Sequence, residues 1–260
     1  MTFPLDPLPA TPDNPRMRWK CVCAFDGREF RGWQSQADGS GVQDAVEKRL
    51  GEIFRRPVRV HGCSRTDTGV HARRYVFHFD AEWRHSKEAL LAAFKSALPP
   101  SVLVFSARRA PESFHARFSS TGKRYVYYVY QGTPLPFESR YCVACPVRLD
   151  TESMAAAAAV LRGRNDFAAY SADGGDIKET TVRDLRRLEV IRTGRRIRFI
   201  AEADGFLYRM VRSLAGALIR TGEGKLSPGR VKELLDEKER TPEIPTAPPH
   251  GLFLDRVFYG

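Results

Sequence analysis

Hydrophobic residues change period several times along this chain, and the order of those changes leaves few folds open. From Met17 to Phe25 the pattern suits a strand, and Phe25 to Trp33 follows as a glycine-punctuated loop. Val42, Ala45, Val46, Leu50, Ile53 and Phe54 then recur at helical spacing, with charges between them. Pro57 to His61 is a short β-branched run. Tyr75, Phe77 and Phe79 alternate with His78 and Asp80, as in a half-buried strand. Ala89 to Leu98 reads as a second amphipathic helix closed by Pro99-Pro100, and Ser101 to Ala107 as a further strand. The resulting order, β-α-β-β-α-β, is that of a ferredoxin-like unit.

The second half repeats the order without an evident sequence repeat. Lys123 to Tyr130 is an aromatic strand and Met154 to Leu161 an Ala-rich helix. Thr181 to Ile191 and Arg196 to Ala203 read as two strands separated by Thr193-Gly194. A helix covers Leu207 to Thr221, with Leu207, Met210, Val211, Leu214 and Leu218 on one stripe. Val231 to Glu237 adds a short helix, and Gly251 to Tyr259 closes the chain as a strand. The expected fold is therefore α+β, with two ferredoxin-like halves whose mainly antiparallel sheets line a basic cleft. Residues 17–112 and 113–260 are the expected units, with a boundary near Pro111 to Phe114. A single composite domain fits the same pattern.

Charge narrows the partner. Lys and Arg number 42 against 31 Asp and Glu, a formal net charge of +11. Such an excess concentrates polyanions, so nucleic acid leads the partner classes; general solubility is the plain alternative. Nothing approaches the run of about 18 apolar residues that spans a membrane. Residues 1–16 hold five prolines and no apolar stretch, and read as a flexible tail, not a secretion signal. The cytoplasm is the expected location. Five cysteines without an export signal argue against disulfides. Cys21, Cys23, Cys142 and Cys145 could offer four thiolates to zinc, but Cys21 and Cys23 alternate within a strand and suit a core.

Three segments hold candidate chemistry. Arg65-Thr-Asp67-Thr-Gly69-Val-His71 is polar and lies between two strands, where loops carry catalytic groups. Taken alone, Asp67 reads as a turn or capping residue, as roughly nine loop aspartates in ten are. Lys123-Arg-Tyr125-Val-Tyr127-Tyr128-Val-Tyr130 puts Tyr125 and Tyr127 on one face of a strand and Tyr128 and Tyr130 on the other. One face must pack; another could stack an unpaired base. Arg212 stands at the border of the buried stripe that carries Val211, so it needs a partner, because an unpaired buried cation costs several kcal/mol. Asp67 would serve.

Together these segments resemble the tRNA pseudouridine synthase A (TruA) family, whose signature is similar to Arg65 to Ala72 here. Further matches are Phe25-Asp-Gly with Phe30 to Gln36, Val42-Gln43, Phe114-His-Ala-Arg-Phe118 and Lys123-Arg-Tyr125. Gly163 to Phe167, Thr181-Val-Arg183, Phe206 to Arg212 with Gly216, and Ala247-Pro248 with Gly251-Leu252 extend them to nearly the whole chain. The resemblance implies a uridine-to-pseudouridine isomerase with Asp67 as the catalytic carboxylate. It gives Tyr125 as the tyrosine that stacks on the target base and Arg212 as the partner of the aspartate. Arg65 matches the arginine that fills the gap left by the flipped nucleotide. Expected RNA contacts are Arg31, Trp33, Gln34, His71, Arg117, Lys123, Arg124 and Arg209. The reaction moves no net electrons, so no cofactor and no metal are expected. The implied partner is the anticodon arm of tRNA, at positions 38 to 40, and the implied assembly is a homodimer. Ser64 and Thr68 depart from the glycine and alanine common in the family and add hydroxyls beside Asp67.

Two other readings stay open at this stage. A non-catalytic RNA-binding protein or tRNA chaperone of the same fold explains the charge and the aromatic strand. A metal-dependent nuclease would use Asp67, His71 and Asp80, and predicts sensitivity to chelators.

Overall fold

The strand and helix patterns assemble into one sheet, described in a computed structural model for residues 17–172 and 180–260. The tail expected over residues 1–16 lies outside the described residues. The first half contains β1 (Arg18–Phe25), α1 (Val42–Phe54), β2 (His61–Gly62), β3 (His71–Asp80), α2 (Lys87–Lys95) and β4 (Val102–Ala110). The second contains β5 (Ser120–Gln131), β6 (Val143–Cys145), α3 (Thr151–Leu161), β7 (Gly163–Asp166), β8 (Val182–Thr193) and β9 (Arg196–Ala203). It ends with α4 (Met210–Gly222), α5 (Pro228–Glu237) and β10 (Leu252–Tyr259).

The main strand order is β4-β1-β3-β10-β5-β9-β8-β7, with β2 on β3 and β6 on β5. Each half thus reproduces the ferredoxin-like order: β4-β1-β3-β2 in one, β10-β5-β9-β8 in the other. Pairing is antiparallel except for β10 with β3 and β5 with β6. The run expected over Pro57 to His61 pairs only at its end, as β2. Strands β6 and β7 are additions the hydrophobic pattern does not announce.

Strand β10 joins the halves. Leu254 faces Ala72 of β3 on one side and Tyr125 of β5 on the other. The C-terminal strand therefore fixes the strand leaving the Asp67 loop against the strand that carries Tyr125.

The alternation on β1 and β3 sends Cys21, Cys23, Phe25, Tyr75, Phe77 and Phe79 into the core, where α1 adds Val42, Val46 and Leu50. Phe94 of α2 meets Phe77 and Phe79 edge-on, at 6.3 Å from each. In the second half the stripe Leu207, Met210, Val211, Leu214 and Leu218 is buried as its spacing predicts. Serines cap α2 and α5: Ser86 Oγ accepts from Ala89 N–H and Ser227 Oγ from Arg230 N–H. Cys21 and Cys23 are core residues, and no group of three or more His, Cys, Asp or Glu among the described residues could hold a metal ion.

Candidate active site

Asp67 sits in the eight-residue link between β2 and β3, residues 63–70. Gly69 adopts φ +79°, a left-handed turn that an L side chain resists. The turn brings Asp67 back toward α4, where Arg212 Nη1 donates to its carboxylate Oδ2 at 2.7 Å. Arg209 Nε lies 3.9 Å from the same oxygen. The Asp67 and Arg212 side chains are 19% and 12% exposed, so the pair faces the cleft while largely shielded from water.

Arg212 is held from both ends. Its Nε donates to Ala247 O at 2.7 Å, and Ala247 N–H donates back to the Arg212 carbonyl at 3.1 Å. Tyr127 fixes the same stretch by donating its hydroxyl to Pro248 O at 2.8 Å. The close approach of this segment to α4 depends on Gly216, since a Cβ there would lie 1.9 Å from Pro245 O. Arg209 itself has φ +55°, a left-handed conformation uncommon for a non-glycine residue, at the residue that opens α4.

Tyr125 is buried, with Phe206 edge-on at 5.2 Å. Burial pushes its phenol well above the ordinary value; the Ser64 side chain works against the rise and the Asp67 carboxylate adds to it. Tyr125 is therefore a neutral phenol whose hydroxyl can donate. Beneath the loop, Trp33 stacks on Tyr75 at 3.9 Å, and the Tyr75 hydroxyl donates to the Ser64 carbonyl.

Ser64, Asp67, Tyr125, Phe206, Arg209 and Arg212 line a cleft of about 930 Å³. Its lining includes seven Lys or Arg side chains against two aspartates, Asp67 and Asp204. Of the residues expected to contact RNA, Arg31, Gln34, Arg117, Lys123 and Arg209 line the cleft, as does Arg65. Ser64 and Thr68 also line it; Thr68 is exposed and Ser64 half-buried.

Three expected RNA contacts need correction. Trp33 is 2% exposed and supports the loop from the core. His71 is 1% exposed, accepts the Gly27 N–H at its Nδ1 and stacks on Phe253 at 4.6 Å. Burial lowers its pKa, which suits a neutral structural imidazole. Arg124 lies on the opposite face of β5 from Lys123 and Tyr125, paired with Glu202 at 2.8 Å. The nuclease reading fails on geometry as well, because Asp80 ends β3 at the far end from His71 and is held by Arg18 at 2.7 Å. Ala247 lies in a segment that matches the family, yet it acts through a backbone carbonyl that no side-chain pattern reveals.

No helix among the described residues is long and apolar enough to cross a membrane. The sequence profile of a family described as tRNA pseudouridine synthase matches residues 157–260. A protein from Clostridium perfringens named tRNA pseudouridine synthase A 2 is 36% identical over 241 residues, covering 92% of this chain and 98% of that protein. A tRNA pseudouridine synthase A from Chromobacterium violaceum is 40% identical over 250 residues, 94% of this chain and 93% of the other. One from Staphylococcus epidermidis is 38% identical over 243 residues, 93% and 91% of the two chains. With identities of this size over nearly its whole length, the chain belongs to the tRNA pseudouridine synthase A family.

Proposed function

We propose that this chain isomerises uridine to pseudouridine in tRNA, with Asp67 as the carboxylate that acts on the target nucleoside. The observation that carries the reading is the 2.7 Å pair between Asp67 and Arg212 in a cleft that Tyr125 also lines. During the reaction the bond from ribose C1′ to uracil N1 breaks, the base turns, and a C1′–C5 bond forms. The proton lost from C5 is balanced by the one gained at N1, so no electrons leave the substrate. Asp67 attacks, on the sugar or on the ring, while Arg212 orients it and neutralises its charge when the cleft closes on RNA.

The target base must leave its stack, at a cost of a few kcal/mol. Tyr125 replaces lost stacking, Arg65 fills the vacated space, and Arg31, Gln34, Arg117, Lys123 and Arg209 contact the RNA, with the cations gripping phosphates. Residues 17–112 act as the unit that presents the carboxylate, and 113–260 as the unit that presents Tyr125 and Arg212. The target is the anticodon arm at positions 38 to 40, and the working form is a cytoplasmic homodimer.

The test is to incubate the full chain with unmodified tRNA in chelator and map pseudouridine as primer-extension stops after carbodiimide treatment. Stops at 38 to 40 with the native protein, and none with Asp67→Ala, are the expected result. RNA binding by the native protein without product would overturn the reading in favour of a non-catalytic RNA-binding protein.

A further inference from the structure

Beside the catalytic cleft lies a second cavity of about 330 Å³. The two share Gln34, Ser64, Arg65, Arg117 and Phe118, so they are neighbouring compartments of one surface. Phe118 stands on the boundary and is 76% exposed, the most exposed large apolar side chain among the described residues. Leaving a phenyl ring in water forgoes the burial energy its size would yield, which raises the question of what covers it.

The ring is not loose. His115 Nδ1 accepts the backbone N–H groups of Arg117 and Phe118, at 3.1 and 3.3 Å. His78 Nδ1 accepts the Ala116 N–H at 3.1 Å, and the Ser119 hydroxyl accepts the His115 N–H at 2.9 Å. The Phe118 ring then lies 4.4 Å from His115, tilted by 32°. His115 meets His78 edge-on at 4.7 Å, and His78 stacks on His61 at 4.9 Å. Burial, with His61 next to it, holds the His115 pKa below the usual imidazole range, so its Nδ1 stays an acceptor at neutral pH.

The lining argues for one kind of occupant. The second cavity contains Arg59, Arg65 and Arg117 and no carboxylate. The Arg117 guanidinium carbon is 5.6 Å from the Phe118 ring centre. Arg59 pairs with Glu47 through Nη1 at 3.1 Å, is 65% exposed, and has further N–H donors. An exposed ring flanked by cations fits a flat base on a phosphate chain; an apolar peptide would leave the arginines unmatched.

We propose that this cavity is a second nucleotide subsite, in which Phe118 stacks the base of an unpaired nucleotide next to the target and Arg59 and Arg117 take its phosphate. The assignment rests on the tRNA reading above and deepens it. A target base that leaves the stack strips its neighbour of a partner, and Phe118 supplies the replacement surface within reach of the same cleft.

The experiment measures turnover and tRNA affinity for the full chain carrying Phe118→Ala or Phe118→Trp. It uses native tRNA and tRNAs with a single abasic nucleotide on either side of the target. Phe118→Ala should weaken tRNA affinity about tenfold, with Phe118→Trp close to native, because stacking tolerates any aromatic ring. An abasic nucleotide at one flanking position should cost the native protein a similar factor and add nothing to the loss in Phe118→Ala. The subsite is overturned if Phe118→Ala binds like the native protein, or if the two losses multiply at both flanking positions. The underlying reading fails separately: a native protein that makes no pseudouridine on intact tRNA overturns the function, whatever Phe118 does.

Discussion

The two halves of the sheet share one strand order, yet they make opposite use of the same connection. In the second half β8 and β9 are long and run into each other through Gly194 and Arg195, with Gly194 at φ +60°. In the first half β2 shrinks to two residues, and the equivalent link opens into the eight residues that carry Asp67. The edge of β3 that a longer β2 would occupy is taken by β10 from the other half. A tight hairpin leaves few residues outside the ladder, whereas a loop after a shortened strand, braced by a foreign strand, presents the candidate carboxylate. The second half contributes through positions its copy of the fold keeps regular: Tyr125 inside a strand and Arg212 in the first turn of a helix. The candidate carboxylate thus sits where the repeat departs from its own symmetry, at one link.

That contrast can be broken directly. Two glycines inserted between Gly194 and Arg195 should cost about 1 kcal/mol of stability or less and leave pseudouridine formation near native. The same insertion after Thr68 should cut the rate by on the order of 10³-fold, because it lifts Asp67 away from Arg212. Urea melts and single-turnover assays on both variants decide it; equal losses would mean the two links are equivalent after all. Arg212→Met comes next. It removes the donor to Asp67 and to Ala247 O, and should lower kcat/KM by on the order of 10²-fold. A larger loss in kcat than in affinity would place Arg212 in the reaction; an effect on affinity alone would make it only an RNA contact.

The smallest expected effect concerns pH, and it belongs to the first half, where four of the six histidines lie within residues 17–112. His78 is 1% exposed, and burial, together with His115 and His61, lowers its pKa to about 4 from an ordinary 6.5. The unfolded chain therefore takes up this proton first as pH falls. The contribution is intact above pH 6.5 and is lost progressively down to about pH 4. His78→Gln keeps an acceptor for Ala116 N–H and should lessen the acid loss by about 2 kcal/mol, read from urea melts at neutral and acidic pH. An unchanged acid limb would assign the proton uptake to other groups.

Much of this architecture is legible in the chain. Period changes locate both helices of the first half and the strong helix α4, because buried stripes and alternating strands leave a direct mark on sequence. Short elements leave none: β6 and β7 have three and four residues, too few to show a period. Among site residues, the surrounding motifs point to Asp67, Tyr125 and Arg212, and all three line one cleft. The motif alone could not tell which members face outward. Trp33 and His71 sit in matched segments but serve the core, and burial is a tertiary property. Strand alternation by itself sets Arg124 opposite Lys123 and Tyr125. The bracing of Arg212 by the Ala247 carbonyl was beyond reach, because any residue type supplies a carbonyl.

The central claim is that the Asp67 carboxylate, presented by the asymmetric loop, acts on the uridine itself. Asp67→Asn keeps the size of the side chain and an oxygen to accept from Arg212, so it should bind tRNA about as tightly as the native protein. The decisive measurement is single-turnover release of tritium from tRNA labelled at uridine C5, with binding followed in parallel. The account predicts bound tRNA with release slowed by on the order of 10³-fold or more. Release within about tenfold of the native rate would contradict it, because the amide can neither attack nor accept the C5 proton in this way.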